Sequence, residues 1–162
     1  MEDNSGKSEE NPTMRYCELI DSEIKADSFY FRYESHVRLA IASIGLAAST
    51  GVRVPAVREI LDMTDKLYNN VLDEDTVLSD EHRKKLNHAD EVWLDLKEKM
   101  SAGDIRASHL LAASSNLMLA HSMLVSLKGE EGFSELISDY SLKYFQKLAV
   151  FIYREAIGHV ML

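Results

Sequence analysis

The sequence predicts an all-α fold, a single compact antiparallel bundle of five or six helices, and three observations predict it. Seven Gly and two Pro in 162 residues are too few turn-formers for an all-β sandwich, which needs them at every reversal. Apolar residues recur at intervals of three and four along most of the chain, the period of helices with one buried face. Sustained alternation, the mark of a half-buried strand, is absent. A 46% hydrophobic content in a chain of this length is enough for one packed core without disulfides or a metal.

Residues 1–12 are polar and acidic, with no large apolar side chain beyond Met1, a composition that cannot offset the entropy of ordering. They read as a flexible tail preceding a helical bundle domain over 13–162. Thr13 is a plausible N-cap, and Met14, Cys17, Ile20 and Ile24 follow at helical spacing, which predicts a first helix to about Asp27. A second stripe runs from Ser28 through Tyr30, Tyr33, Val37, Ile41, Ile44 and Ala48, separate from the first or joined to it as one long bent helix. Its half from Leu39 to Ala48 is so poor in polar groups that it reads as a central helix, buried nearly all round.

Ser49, Thr50 and Gly51 form a stop, and Pro55 suits the first turn of the next helix. There Val57, Ile60, Leu61, Leu67, Tyr68, Val71 and Leu72 face one way and Arg58, Glu59, Asp62, Asp65 and Lys66 the other. After an acidic loop over 73–78, Ser79 caps a helix that opens with Asp80 and Glu81, both favourable at a positive dipole end. That helix is expected to reach about Met100, outside the bundle and anchored by Trp93. Gly103 and Asp104 interrupt and recap the chain before Ile105–Lys128, whose wide stripe includes Leu110, Ala113, Leu117, Ala120, Leu124 and Leu127. Gly129 and Gly132 bracket a turn, and Ser134 is the expected cap of a last helix running nearly to Leu162.

A formal charge of −9 argues against a surface that neutralises phosphates, so direct nucleic-acid binding is not expected as the main activity. Residues 1–12 hold −3 of this charge, leaving −6 for the folded part. Cys17 is the single cysteine and lies between Tyr16 and Glu18, without a cation to activate its thiol, so it reads as core packing. The polar N-terminus lacks an apolar signal region and no run of 18 consecutive apolar residues occurs, so the expectation is cytoplasmic, with no membrane partner. Six histidines raise the question of a metal, but Glu-x-x-His, the pair that bundles use for di-iron centres, does not occur. Glycine-rich phosphate loops, nucleophile elbows, Cys-x-x-Cys pairs and His-Glu-x-x-His motifs are also missing. No cofactor or metal is expected.

Phe29, Tyr30, Phe31 and Tyr33 cannot all face one helical stripe. With Arg32 they make Phe29, Tyr30, Phe31 and Arg32 the candidate contact residues for a partner protein, since exposed aromatics are favoured in interfaces. The composition thus favours a non-catalytic protein–protein interaction module, an adaptor, inhibitor, chaperone or assembly subunit that engages another protein or itself through a helical face and an acidic surface. A small helical subunit of a nucleoprotein complex is a further alternative.

Arg-x-x-x-x-His occurs twice, at Arg83–His88 and at Arg154–His159. The pattern resembles the signature of the HEPN superfamily, small helical bundles many of which cleave RNA. That resemblance implies an Arg and a His on one helix, paired across a dimer interface, with the His as acid or base and the Arg stabilising charge at the scissile phosphate. Arg154 and His159 are the pair it favours. Read from the residues alone, the same two cations suit the last turn of a helix, where they neutralise its dipole.

Overall fold

The computed structural model describes residues 11–71, 77–91, 97 and 104–160. It is mostly helical, with one small sheet. Among the described residues the order is β1 (Met14–Cys17), β2 (Ser22–Lys25), α1 (Phe29–Ser49), α2 (Val54–Asn69), α3 (Asp80–Asn87), α4 (Ile105–Lys128) and α5 (Asp139–Val160).

The segment expected to be a first helix, Thr13 to Asp27, is instead a β-hairpin. β1 and β2 pair antiparallel with Met14 opposite Lys25 and Cys17 opposite Ser22. The ladder is extended by the Ala26 N–H, which donates to the Thr13 carbonyl at 2.8 Å. The reversal turns on Asp21, whose φ of 48° is a left-handed conformation that Asp tolerates better than most residues. The Tyr16 hydroxyl bonds its carboxylate. Four apolar residues among charged ones are too thin a stripe to hold a helix against a core. As a hairpin the segment buries Cys17 completely and lays Leu19, Ile20 and Ile24 over the cluster beneath.

Ser28 opens α1, its hydroxyl accepting from the Tyr30 N–H at 3.2 Å. The helix ends at the expected stop, with Gly51 at φ +104°, a conformation that glycine adopts at no steric cost. Pro55 falls in the first turn of α2. Ser79 caps α3 through the His82 N–H, but α3 ends at Asn87, well short of Met100. His88 closes it through its N–H to the Lys84 carbonyl, and the Asp90 carbonyl accepts from the Arg154 guanidinium at 3.0 Å. That bond takes up an acceptor which a continuing helix would use internally. Trp93 and Met100 lie outside the described residues. Asp104 caps α4 by accepting from the N–H groups of Arg106 and Ala107.

Ser134 is not the cap of the last helix, which begins five residues later at Asp139. Ser138 takes that role, its hydroxyl accepting from the Ser141 N–H at 3.0 Å. Its own N–H, like the Ser141 hydroxyl, bonds the Val71 carbonyl after α2. The intervening stretch turns at Gly132, φ +90°, and buries Phe133 against Tyr30 at a ring separation of 6.4 Å.

α4 packs along both α1 and α5, while α2 leans on α1 and α5, and α3 on α5. Between them lies one apolar cluster that includes Ile44, Ile60, Leu67, Leu110, Leu117, Leu124, Phe145 and Ile152. Burying each such side chain stabilises by about 1.5–3 kcal/mol relative to exposure. The Ser114 hydroxyl on α4 reaches the Ala149 carbonyl of α5 at 2.7 Å, a close approach allowed by small residues on both helices.

Candidate functional site

The aromatic segment at the start of α1 divides between core and surface. Tyr30 and Phe31 are only 7% and 5% exposed. Tyr30 packs on Phe31, Tyr33 and Phe133, and the Arg15 guanidinium of β1 covers the Phe31 ring at 4.3 Å. Of the four candidate contact residues, Tyr30 and Phe31 are thus buried in the single chain, Phe31 beneath the hairpin. Phe29 is half-buried and Arg32 exposed; the Arg32 guanidinium lies 5.3 Å from the Phe29 ring, and both line a shallow groove beside Phe133. Beneath them, burial pushes the Tyr33 hydroxyl well above its ordinary range, and its oxygen has no hydrogen-bond partner among the described residues. Burial also pushes Tyr68 up to about 12, assisted by Glu34, to which its hydroxyl donates at 3.1 Å. All these phenols are neutral at physiological pH.

The two Arg-x-x-x-x-His matches meet in an unexpected way. Arg154, from the second, and His88, from the first, line one groove of about 640 Å³ between α3 and α5, together with Lys84, Lys85, Glu81 and Glu155. Arg83 is turned to Asp80. The His159 side chain, half of the expected pair of Arg154 with His159, lies outside the described residues. Lys85 is held by Glu59 at 2.7 Å, which raises its pKa.

A different surface has no counterpart among the expected sites. α1 carries no Asp, Glu, Lys or Arg between Arg38 and Arg53, and α4 none between Arg106 and Lys128. The segment Leu39 to Ala48 is not buried all round: Leu39 and Leu46 are 52% and 50% exposed, and Ala42 and Gly45 are exposed with them. On α4, Ser108, Ala112, Ser115, Leu119, Ser122 and Ser126 are all exposed, at the spacing of a single helical stripe. Leu119 is 44% exposed. The two stripes flank one seam, because His36 Nδ1 of α1 meets Asn116 Oδ1 of α4 at 3.0 Å. Leu39 and Leu119 each stand three residues beyond a partner in that bond, on the same side of their helices. Absence of charge signals that water is not needed, but not whether core or another molecule replaces it.

Among the described residues no three His, Cys, Asp or Glu side chains are grouped to hold a metal ion. By length and composition α4 is apolar enough to cross a bilayer, yet it lies within the packed cluster on its opposite face.

The profile of a family described as a domain of unknown function, DUF1940, matches residues 16–158, from β1 through nearly all of α5. The chain belongs to this family. No curated protein matches it. The DUF1940 domain therefore takes in the hairpin, the α3–α5 groove and both stripes of the uncharged face.

Proposed function

We propose that the DUF1940 domain is a non-catalytic protein–protein interaction module, one up-and-down antiparallel bundle over 13–162 that presents the α1–α4 face to a protein partner. The uncharged face carries this reading, with leucines about half exposed on adjacent helices of a chain that is 28% charged as a whole. Hiding each such leucine on association is worth about 1 kcal/mol. Phe29 and Arg32 extend the candidate contact area at the hairpin end, while Tyr30 and Phe31 serve the core. The acidic surface outside the face disfavours nucleic acid. The proposed setting is the cytoplasm.

The test is capture of partners from the native cell by the tagged chain, compared with Leu46→Glu and Leu119→Glu. A stoichiometric protein lost from both variants supports the module; identical captures from wild type and variants would remove the face from the reading.

A second reading, an RNA-cleaving or formerly RNA-cleaving bundle of the HEPN kind, is favoured by His88 and Arg154 lining one groove. Cleavage of RNA by the wild type that is lost in His88→Ala, Arg154→Ala or His159→Ala supports it, and no cleavage, or equal cleavage in all four proteins, sinks it.

A further inference from the structure

We infer that the partner seated on the α1–α4 face is a second copy of this chain, joined through a two-fold axis that apposes Leu39, Ala42 and Leu46 with Ala112, Ser115 and Leu119. The inference rests on the interaction reading and supplies its partner. An isologous interface brings the same residues of both copies to one patch, so its side chains must be compatible with their own kind. Leucine and alanine are, and a serine hydroxyl both donates and accepts. Carboxylates and ammonium groups are not, and the face contains neither. Two copies at −9 each repel wherever acidic surface meets acidic surface. This face is where that repulsion has no local source.

The size suits a reversible dimer. The α1 stripe from Leu39 to Leu46 runs for about 10 Å and the α4 stripe from Ser108 to Ser126 for about 27 Å, which at about 10 Å of width each gives on the order of 400 Å² per copy. A total below about 1,200 Å² is the range of weak, transient interfaces. Small residues across the middle of the face let two helix backbones approach closely. A basic partner protein would leave the absence of acidic residues from the face unexplained, and an anionic membrane would be repelled by the rest of the surface.

Sedimentation equilibrium of the full chain from about 1 to 100 µM, at about 0.15 M salt where charges are screened within about 8 Å, reads this directly. The wild type is expected at twice the 18.3 kDa chain mass. Leu119→Glu and, separately, Leu46→Glu bury unpaired carboxylates in the interface and weaken the dimer at least about a hundredfold. Leu46 is half exposed in the single copy, so a folded monomer is observable by circular dichroism with Leu46→Glu even if Leu119→Glu is unstable. A wild type that is monomeric at every concentration, or a dimer untouched by both substitutions, overturns the inference. So does a monomer that sediments with phosphatidylcholine vesicles through the same face. If a monomeric wild type still captures another protein that Leu119→Glu releases, the second copy fails and the interaction module stands. If no capture depends on the face either, both fail.

Discussion

Two helical surfaces of this domain face water and are made of opposite residue types. The α2–α3 side is laced with ions: Lys85 bonds Glu59 at 2.7 Å, Lys66 meets Asp62 at 3.0 Å, and Arg83 pairs with Asp80. On the α1–α4 side the exposed positions between the flanking charges are Leu, Ile, Ala, Ser, Gly and Val. The two sides share one core and differ only outside it. Charged side chains hold water against the first surface as its permanent neighbour. The second gives water little to bind, which is how a helix is built when something else is meant to cover it.

The largest expected effects separate the covered from the uncovered positions within α4. Leu124 is fully buried, and Leu124→Ala should cost about 2–5 kcal/mol by lost transfer energy and a residual cavity. Leu119→Ala, five residues away on the exposed stripe, should stay within about 0.5 kcal/mol in the monomer. Urea titration of dilute protein measures both. A large loss at Leu119 under those conditions would show that its stripe is core. The same contrast applies at the start of α1: Phe31→Ala should cost about 3–5 kcal/mol, whereas Arg32→Ala leaves folding intact and only a binding assay can detect it.

The sequence exposed α2 and the buried side of α4 clearly, because in each the apolar period and the capping residue agree. Pro55, Ser79, Gly51 and Asp104 all stand where the backbone needs them. It concealed the hairpin, since Met14, Cys17, Ile20 and Ile24 fit a helical period by number while their pairing depends on a reversal at Asp21 and on a lid position over Phe31. Neither is encoded by local spacing. It concealed the start of α5 for a related reason. Ser134 and Ser138 are equal as local caps, and only the distant Val71 carbonyl chooses between them. The exposed face was visible as an uncharged run but not as exposed, because periodicity reports which residues share a side and not what lies beyond it.

Smaller effects distinguish local order from surface charge. Asp104→Ala removes a side chain that accepts two backbone N–H bonds and should cost about 1 kcal/mol. Its carboxyl is held below the usual range by Arg106 and these N–H groups. Asp104→Asn should recover most of the loss, which separates capping from charge. On the ionic side, Lys85→Met should change stability by no more than about 1 kcal/mol, and less as salt is added, because Lys85 itself is exposed. A larger, salt-independent loss would mean that the α2–α3 surface is held by its ion pairs and that the contrast between the two sides is misdrawn.

The smallest expected effect is a pH slope from a histidine on α4. His121 is half-buried on α4, and burial alone holds its pKa below the usual histidine range; no acid occurs in that helix between Arg106 and Lys128 to offset it. The folded state therefore binds this proton less readily than the unfolded chain. The stability it contributes is fully present above the unfolded pKa of about 6.5 and is lost as pH falls through the lowered folded value. His121→Gln should flatten the dependence of the unfolding midpoint on pH below about 6.5 while leaving the midpoint at pH 8 nearly unchanged. An unchanged slope would place the acid sensitivity elsewhere.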